Sequence, residues 1–226
     1  MAGDGNSSGN KGGGQSLSRL RLKKYRLLKA AWEFPLTVLL FVAFLPVGAL
    51  LALLIKITSP GPAIYRARRI GRHGRTIYVL KFRTMFVDAD QKLEAILDEN
   101  PELKREWLRK FKLSNDPRIT PLGKILRRTS LDELPQLWNV LRGDMALVGP
   151  RPIVEQEREL YGEHLTDLLA VQPGMTGLWQ VSGRSNTTYV QRVALDMHYV
   201  ENWSPWLDLL ILGKTLGVVL KGTGAR

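Results

Sequence analysis

The chain has no cysteine and only three histidines among its 226 residues. This excludes disulfides, thiolate nucleophiles and cysteine-bound zinc, and His73, His164 and His198 are too scattered for a paired histidine metal site. Carboxylates must therefore carry any acid, base or nucleophile role. Acids are themselves missing from a long stretch. No Asp or Glu occurs from Phe34 to Val87, whereas Lys56, Arg66, Arg68, Arg69, Arg72, Arg75, Lys81 and Arg83 all lie there. A net charge of +12 points to anionic partners: nucleic acid, phosphorylated small molecules or anionic lipid.

Position decides among these, because the basic stretch follows an apolar run. From Phe34 to Ile55 the chain is almost continuously apolar, long enough as a helix to cross a hydrocarbon core. Basic residues flank the run on both sides, from Arg19 to Lys29 before it and from Lys56 to Arg75 after it, although a spanning helix normally keeps them on one side. Pro46, in mid-run, removes a donor and frees the Val42 carbonyl. These features predict a re-entrant helix hairpin broken near Leu45 and Pro46, with both ends on one membrane face; a Pro-kinked spanning helix is the alternative. A cleavable secretory signal is not expected. The expected organisation is a disordered Gly/Ser-rich tail over 1–18, a basic interfacial segment and membrane helix over 19–56, and one further domain over 57–226.

Short strands are predicted at Ala63–Tyr65 and Thr76–Phe82, joined by a loop over Gly71–Arg75. Alternation puts Lys81 and Arg83 on one face of the second strand, placed to hold a diphosphate or simply to protect a solvated edge. Amphipathic helices follow near 91–97 and 102–111, and apolar or mixed helices over 193–201 and 205–220. Asp88-Ala89-Asp90 resembles the Asp-x-Asp signature of metal-dependent glycosyltransferases, but first-turn acids of a helix read the same way.

The stretch from Ser130 to Asn139 is the candidate reactive centre. Asp132 and Glu133 lie side by side between apolar residues, with Arg127 and Arg128 before them and Arg142 and Arg151 after, an arrangement suited to phosphate chemistry. Ser130-x-x-Glu133 also fits a capping box. Gly149-Pro150-Arg151-Pro152 is a stiff loop that would present Arg151 at a fixed position, as a phosphate clamp requires, or it is an ordinary turn. The three glycines within 172–184 predict a tight turn or close backbone approach ending at Arg184.

Three blocks, KFRTM at 81–85, DPRITPLGKILRRTSLDELPQLWNVLRGDMALVGPRP at 116–152 and QPGMTGLWQVSGR at 172–184, resemble the bacterial sugar transferase family, the monotopic polyprenyl-phosphate hexose-1-phosphate transferases. The likeness covers roughly residues 29 to 222, and its C-terminal part is most similar to undecaprenyl-phosphate galactose or glucose phosphotransferases of exopolysaccharide synthesis. It implies an α+β, predominantly helical, monotopic protein with a re-entrant helix hairpin and a small catalytic domain on the cytoplasmic face of the bacterial inner membrane. It further implies Mg²⁺, a UDP-hexose donor, an undecaprenyl phosphate acceptor, contact with membrane lipid and no nucleic-acid partner. By resemblance Asp132 matches the nucleophile and Glu133 its metal-associated partner, while Lys81, Arg127, Arg151, Arg184 and Asp196 match basic and acidic positions of the family motifs. Leu45 stands where the family often has Ser before the break proline, which removes a hydroxyl cap for the freed carbonyl and leaves the break at Pro46. The activity implied is transfer of hexose-1-phosphate through a covalent aspartyl intermediate with release of UMP; the alternative is an Asp-x-Asp glycosyltransferase releasing UDP.

Overall fold

The computed structural model describes residues 12–110, 113, 116–183 and 187–221. It is predominantly helical, and its first element dominates it. Helix α1, Gly12–Thr58, runs 47 residues, about 70 Å if straight at 1.5 Å per residue. Its segment Lys24–Thr58 is long and apolar enough to cross a membrane, with a mean hydropathy of 2.9 in its most apolar window. The helix begins inside the stretch expected as a tail, and residues 1–11 lie outside the described ones. It also continues through Leu45 and Pro46, so a return to one face would have to be a bend within one helix, not two helices joined by a loop.

One stripe of α1 is buried against the rest of the protein: Tyr25, Lys29, Glu33 and Thr37, then Leu51 and Ile55, at four-residue spacing within each group. Between these two groups Val42 to Val47 are exposed all round, a full turn and more around Pro46. Both ends of the apolar run are thus anchored to the same body, and its middle is exposed.

That body begins with an antiparallel hairpin, β1 (Ile64–Ile70) and β2 (Thr76–Phe82), in which Ala67 faces Val79 on the buried side. β2 matches the expected strand, whereas β1 extends five residues past the expected end, with Arg66 and Arg68 outward on either side of buried Ala67. Helices α2 (Ala89–Glu99), α3 (Pro101–Lys110), α4 (Pro121–Thr129) and α5 (Gln136–Leu141) follow. Next come β3 (Ala146–Val148), α6 (Arg158–Tyr161), α7 (Leu165–Ala170), β4 (Gly174–Thr176), α8 (Leu178–Ser182), α9 (Tyr189–Asn202) and α10 (Pro205–Lys221). β3 and β4 pair in parallel, Ala146 with Gly174 and Val148 with Thr176. A Cβ at Gly174 would collide with the Gly149 backbone, which is why the start of β4 needs glycine there.

The main core gathers Val79, Leu137, Val148, Tyr199 and Ile211, and Leu36, Leu40 and Phe41 of α1 pack onto it. A second cluster joins Leu51 and Ile55 of α1 to Phe82 and Leu126. The expected boundary at 56/57 is therefore crossed by both clusters.

Candidate active site

α4 ends at Ser130, which adopts the left-handed conformation (φ 58°, ψ 15°) and donates its N–H to the Leu126 and Arg127 carbonyls. Few non-glycine residues tolerate that geometry, and it breaks the helix sharply. One 3₁₀ turn, Leu131–Glu133, follows and carries the acidic pair. Ser130 caps nothing with its side chain, and Glu133 reaches away from it to Lys81, so the capping box is not formed. Leu131 and Leu134, on either side of the acids, pack onto the cluster containing Leu51 and Ile55. The carboxylates consequently sit beside the C-terminal half of α1.

Lys81 Nζ donates to Glu133 Oε1 at 2.6 Å, with both side chains partly buried. Burial pushes the Glu133 carboxyl up, but Lys81 and Arg151 outweigh it and hold the group below its usual range. Asp132 behaves oppositely: burial and the Glu133 charge raise it from 3.8 to about 6, against the pull of Lys81 and Arg127. Two adjacent carboxylates with their affinities for protons driven apart are a usual sign of distinct chemical roles.

The supporting residues were less legible. Asn139, buried on α5, accepts the Leu80 N–H at 2.9 Å and donates to the Tyr78 carbonyl at 2.8 Å, completing the free edge of β2 next to Lys81. Its only sequence signal was a polar residue inside the apolar LWNVL run. Arg127 Nε donates to Thr84 Oγ1 at 2.9 Å, and Thr120 N–H donates to the Thr84 carbonyl at 3.0 Å. Arg69 lies near Arg151; burial, then that neighbouring charge, lowers its guanidinium.

Arg151 is pinned through its flanks. Gly149 N–H donates to Thr176, Gly174 N–H to Pro150, and Ile70 N–H to the Ile153 carbonyl, at 2.8 to 2.9 Å. It lies close enough to act electrostatically on both Glu133 and Asp196. Asp196 is fully buried on α9; Tyr161 OH donates to its Oδ2 at 2.8 Å, and its Oδ1 has no partner among the described residues. Burial raises the Asp196 carboxyl to about 7 despite that hydrogen bond and the pull of Arg151 and Arg192.

The structure thus brings Lys81, Arg127, Asp132, Glu133, Arg151 and Asp196 into one electrostatic neighbourhood. It does not bring Arg83, expected to bind phosphate beside Lys81. Arg83 turns to the Ser59 and Pro60 carbonyls, at 2.5 and 2.9 Å, and clasps the exit of α1, because the strand alternation that paired it with Lys81 ends at Phe82. Arg142 pairs with Asp144 at 3.4 Å. Arg184 lies outside the described residues. Asp88 stands at the start of α2 in an exposed pair with Lys92 at 3.0 Å, as a first-turn acid would.

The fold and site together are a long apolar helix packed beside a lysine-held carboxylate pair among arginines. The chain belongs to the bacterial sugar transferase family, whose model matches residues 24–222. It is similar to a UDP-galactose-lipid carrier transferase of Erwinia amylovora, 49% identical over 201 residues (88% of this chain, 42% of that one). An undecaprenyl-phosphate galactose phosphotransferase of Salmonella typhimurium is 46% identical over 209 residues, covering 92% of this chain and 44% of that one. The exopolysaccharide production protein ExoY of Sinorhizobium fredii is 45% identical over 197 residues, 87% of each chain. The chain therefore spans less than half the length of the first two relatives and most of the third.

Proposed function

We propose that this protein transfers hexose-1-phosphate from a UDP-hexose to undecaprenyl phosphate, as a membrane step of exopolysaccharide or glycoconjugate synthesis. The observation that carries the reading is Asp132: partly buried, beside Glu133 and Lys81, and packed through Leu131 and Leu134 against the apolar helix. An Asp132 oxygen attacks the sugar-bearing phosphorus, the bond from that phosphorus to the UMP oxygen breaks, and UMP leaves with the electron pair. A phosphate oxygen of the lipid then attacks the same phosphorus and the aspartate departs as a carboxylate. Dividing one difficult displacement into two is the advantage of a carboxylate nucleophile. Lys81, Arg127 and Arg151 offset the phosphate charge in both halves.

Among the described residues no three acidic or histidine side chains converge, so an all-protein metal cage is absent. Two adjacent carboxylates suit Mg²⁺, which takes one or two such ligands and completes its shell with water and substrate phosphate. Asp132 and Glu133 would hold it, and when bound it would neutralise diphosphate charge and assist the leaving group.

For topology we infer a re-entrant α1 with the catalytic body on the cytoplasmic face of the inner membrane. Support comes from the burial of both Lys29 and Ile55 against one body, with the turn around Pro46 exposed. A helix crossing the bilayer would part those two contacts to opposite sides. Incubating solubilised protein with undecaprenyl phosphate, Mg²⁺ and UDP-galactose or UDP-glucose tests the reaction. UMP and a lipid-linked sugar are expected; UDP as the nucleotide product would refute it and favour Asp-x-Asp chemistry.

A further inference from the structure

We propose that Glu33, in the membrane helix, is a positioning residue that sets Arg151 for the donor diphosphate, with Lys29 holding Glu33 in place. The inference rests on the functional reading above. Glu33 is the last acid before the acid-free stretch, and it is buried. Its Oε2 accepts the Leu147 N–H at 3.2 Å, and its Oε1 accepts the Val148 N–H at 3.1 Å and Lys29 Nζ at 2.7 Å. Lys29 Nζ also donates to Asp208 Oδ2 at 2.7 Å and to the Tyr199 hydroxyl at 3.2 Å. The Tyr199 hydroxyl lies 3.2 Å from the Val148 carbonyl, and Trp203 Nε1 donates to Asp208 Oδ2 at 2.8 Å.

Among the described residues β3 has a strand partner, β4, along one edge only. Glu33 occupies the other edge, taking the Leu147 and Val148 N–H groups, while the Tyr199 hydroxyl, which donates to Asp208 Oδ1 at 2.7 Å, lies beside the Val148 carbonyl. Arg151 follows three residues later, beyond Gly149, whose N–H is held by the Thr176 carbonyl, and Pro150, whose ring restricts φ. A displacement of β3 at Val148 is therefore carried toward Arg151.

The ion pair between Glu33 and Lys29 is weak ground for stability. Buried ion pairs seldom outperform apolar residues of the same volume, because both charges must leave water. Fixing the register of one strand relative to the membrane helix is a task that apolar packing performs less well.

The test is a steady-state cycle on full-length protein in phosphatidylglycerol/phosphatidylethanolamine nanodiscs, using whichever UDP-hexose the wild type turns over. The variants are Glu33→Ala, Glu33→Gln, Arg151→Ala and Glu33→Ala with Arg151→Ala. Glu33→Ala is expected to raise donor KM about tenfold and leave acceptor KM within about twofold. Glu33→Gln, which keeps an acceptor oxygen, should fall between it and wild type. The double variant should be no worse than Arg151→Ala alone. A merely structural role would lower the folded fraction and apparent kcat without moving donor KM, and that result, or additive effects in the double variant, overturns the inference. An unchanged donor KM in Arg151→Ala overturns the functional reading of Arg151 and this inference together; a rise there with none in Glu33→Ala overturns this inference alone. Should Glu33→Ala fail to accumulate as folded protein, Glu33→Gln combined with Arg151→Ala supplies the same comparison.

Discussion

Replacing Asp132 by asparagine should abolish turnover and at the same time make the protein more stable at neutral pH. Burial and the Glu133 charge lift the folded-state Asp132 carboxyl from 3.8 to about 6. Between those values the folded protein retains a proton that the unfolded chain has released, so stability falls as pH rises through the window and stays reduced above it. At 1.36 kcal/mol per pH unit the interval amounts to about 3 kcal/mol, and partial solvent access trims this to about 2 kcal/mol. Asparagine keeps the shape and discards the charge. In a chain of this size the gain is about 4 to 8 °C in unfolding midpoint at pH 7.5, shrinking to a small remainder at pH 4 and vanishing near pH 3, where aspartate is neutral in both states. Thermal unfolding of both proteins in the same nanodiscs at pH 7.5, 5 and 4 measures it. An Asp132→Asn protein no more stable than wild type at pH 7.5, or a difference that persists unchanged at pH 4, refutes the idea that this carboxylate is held ionised against its surroundings.

The same ionisation governs rate: kcat/KM for the donor should fall about tenfold per pH unit below about 6 and be flat from 7 to 8, and a break near 4 in the profile would count against Asp132 as the attacking group. Arg83→Met should cost about 2 kcal/mol or more through lost bonds to Ser59 and Pro60, with donor KM unchanged; a KM shift would put Arg83 back at the substrate. Asn139→Leu leaves the Tyr78 carbonyl and Leu80 N–H unpaired, a loss of about 2 to 4 kcal/mol in a denaturant titration, and near-neutral behaviour would mean β2 does not need that support. Because the chain has no cysteine, Arg26→Cys and Ile57→Cys give clean labelling sites: both should resist an impermeant maleimide added to intact spheroplasts and react in inverted vesicles, whereas labelling of one from outside establishes a spanning helix.

Much of this was legible from residue patterns, and the misses have identifiable causes. β2, the late helices and the proximity of Lys81, Arg127 and Arg151 to Asp132 and Glu133 follow from alternation, apolar periodicity and local charge. The parallel β3–β4 pair was not legible, since three-residue strands carry too little periodicity and their partners lie far apart in sequence. Arg83 was misplaced because alternation was extended past the strand's last residue. The Ser130 capping box failed because αL geometry, which sequence does not report for a serine, swings Glu133 toward Lys81 instead. Lys29, Glu33, Tyr199 and Asp208 escaped notice for a deeper reason: a lysine in a basic segment reads as headgroup-facing until its acid, distant by 179 residues, is placed beside it.

Because α1 supplies side chains to both core clusters, it differs from a detachable tether. Cutting the chain after Thr58 would strip Leu36, Leu40 and Phe41 from one cluster and Leu51 and Ile55 from the other, leaving Val79, Leu137 and Phe82 facing water. A soluble excised fragment of residues 59–226 is therefore not expected to fold. For this chain the bilayer is one of the solvents in which the native state is defined, and a change of lipid or detergent is in effect a change in the folding conditions of the body packed against α1.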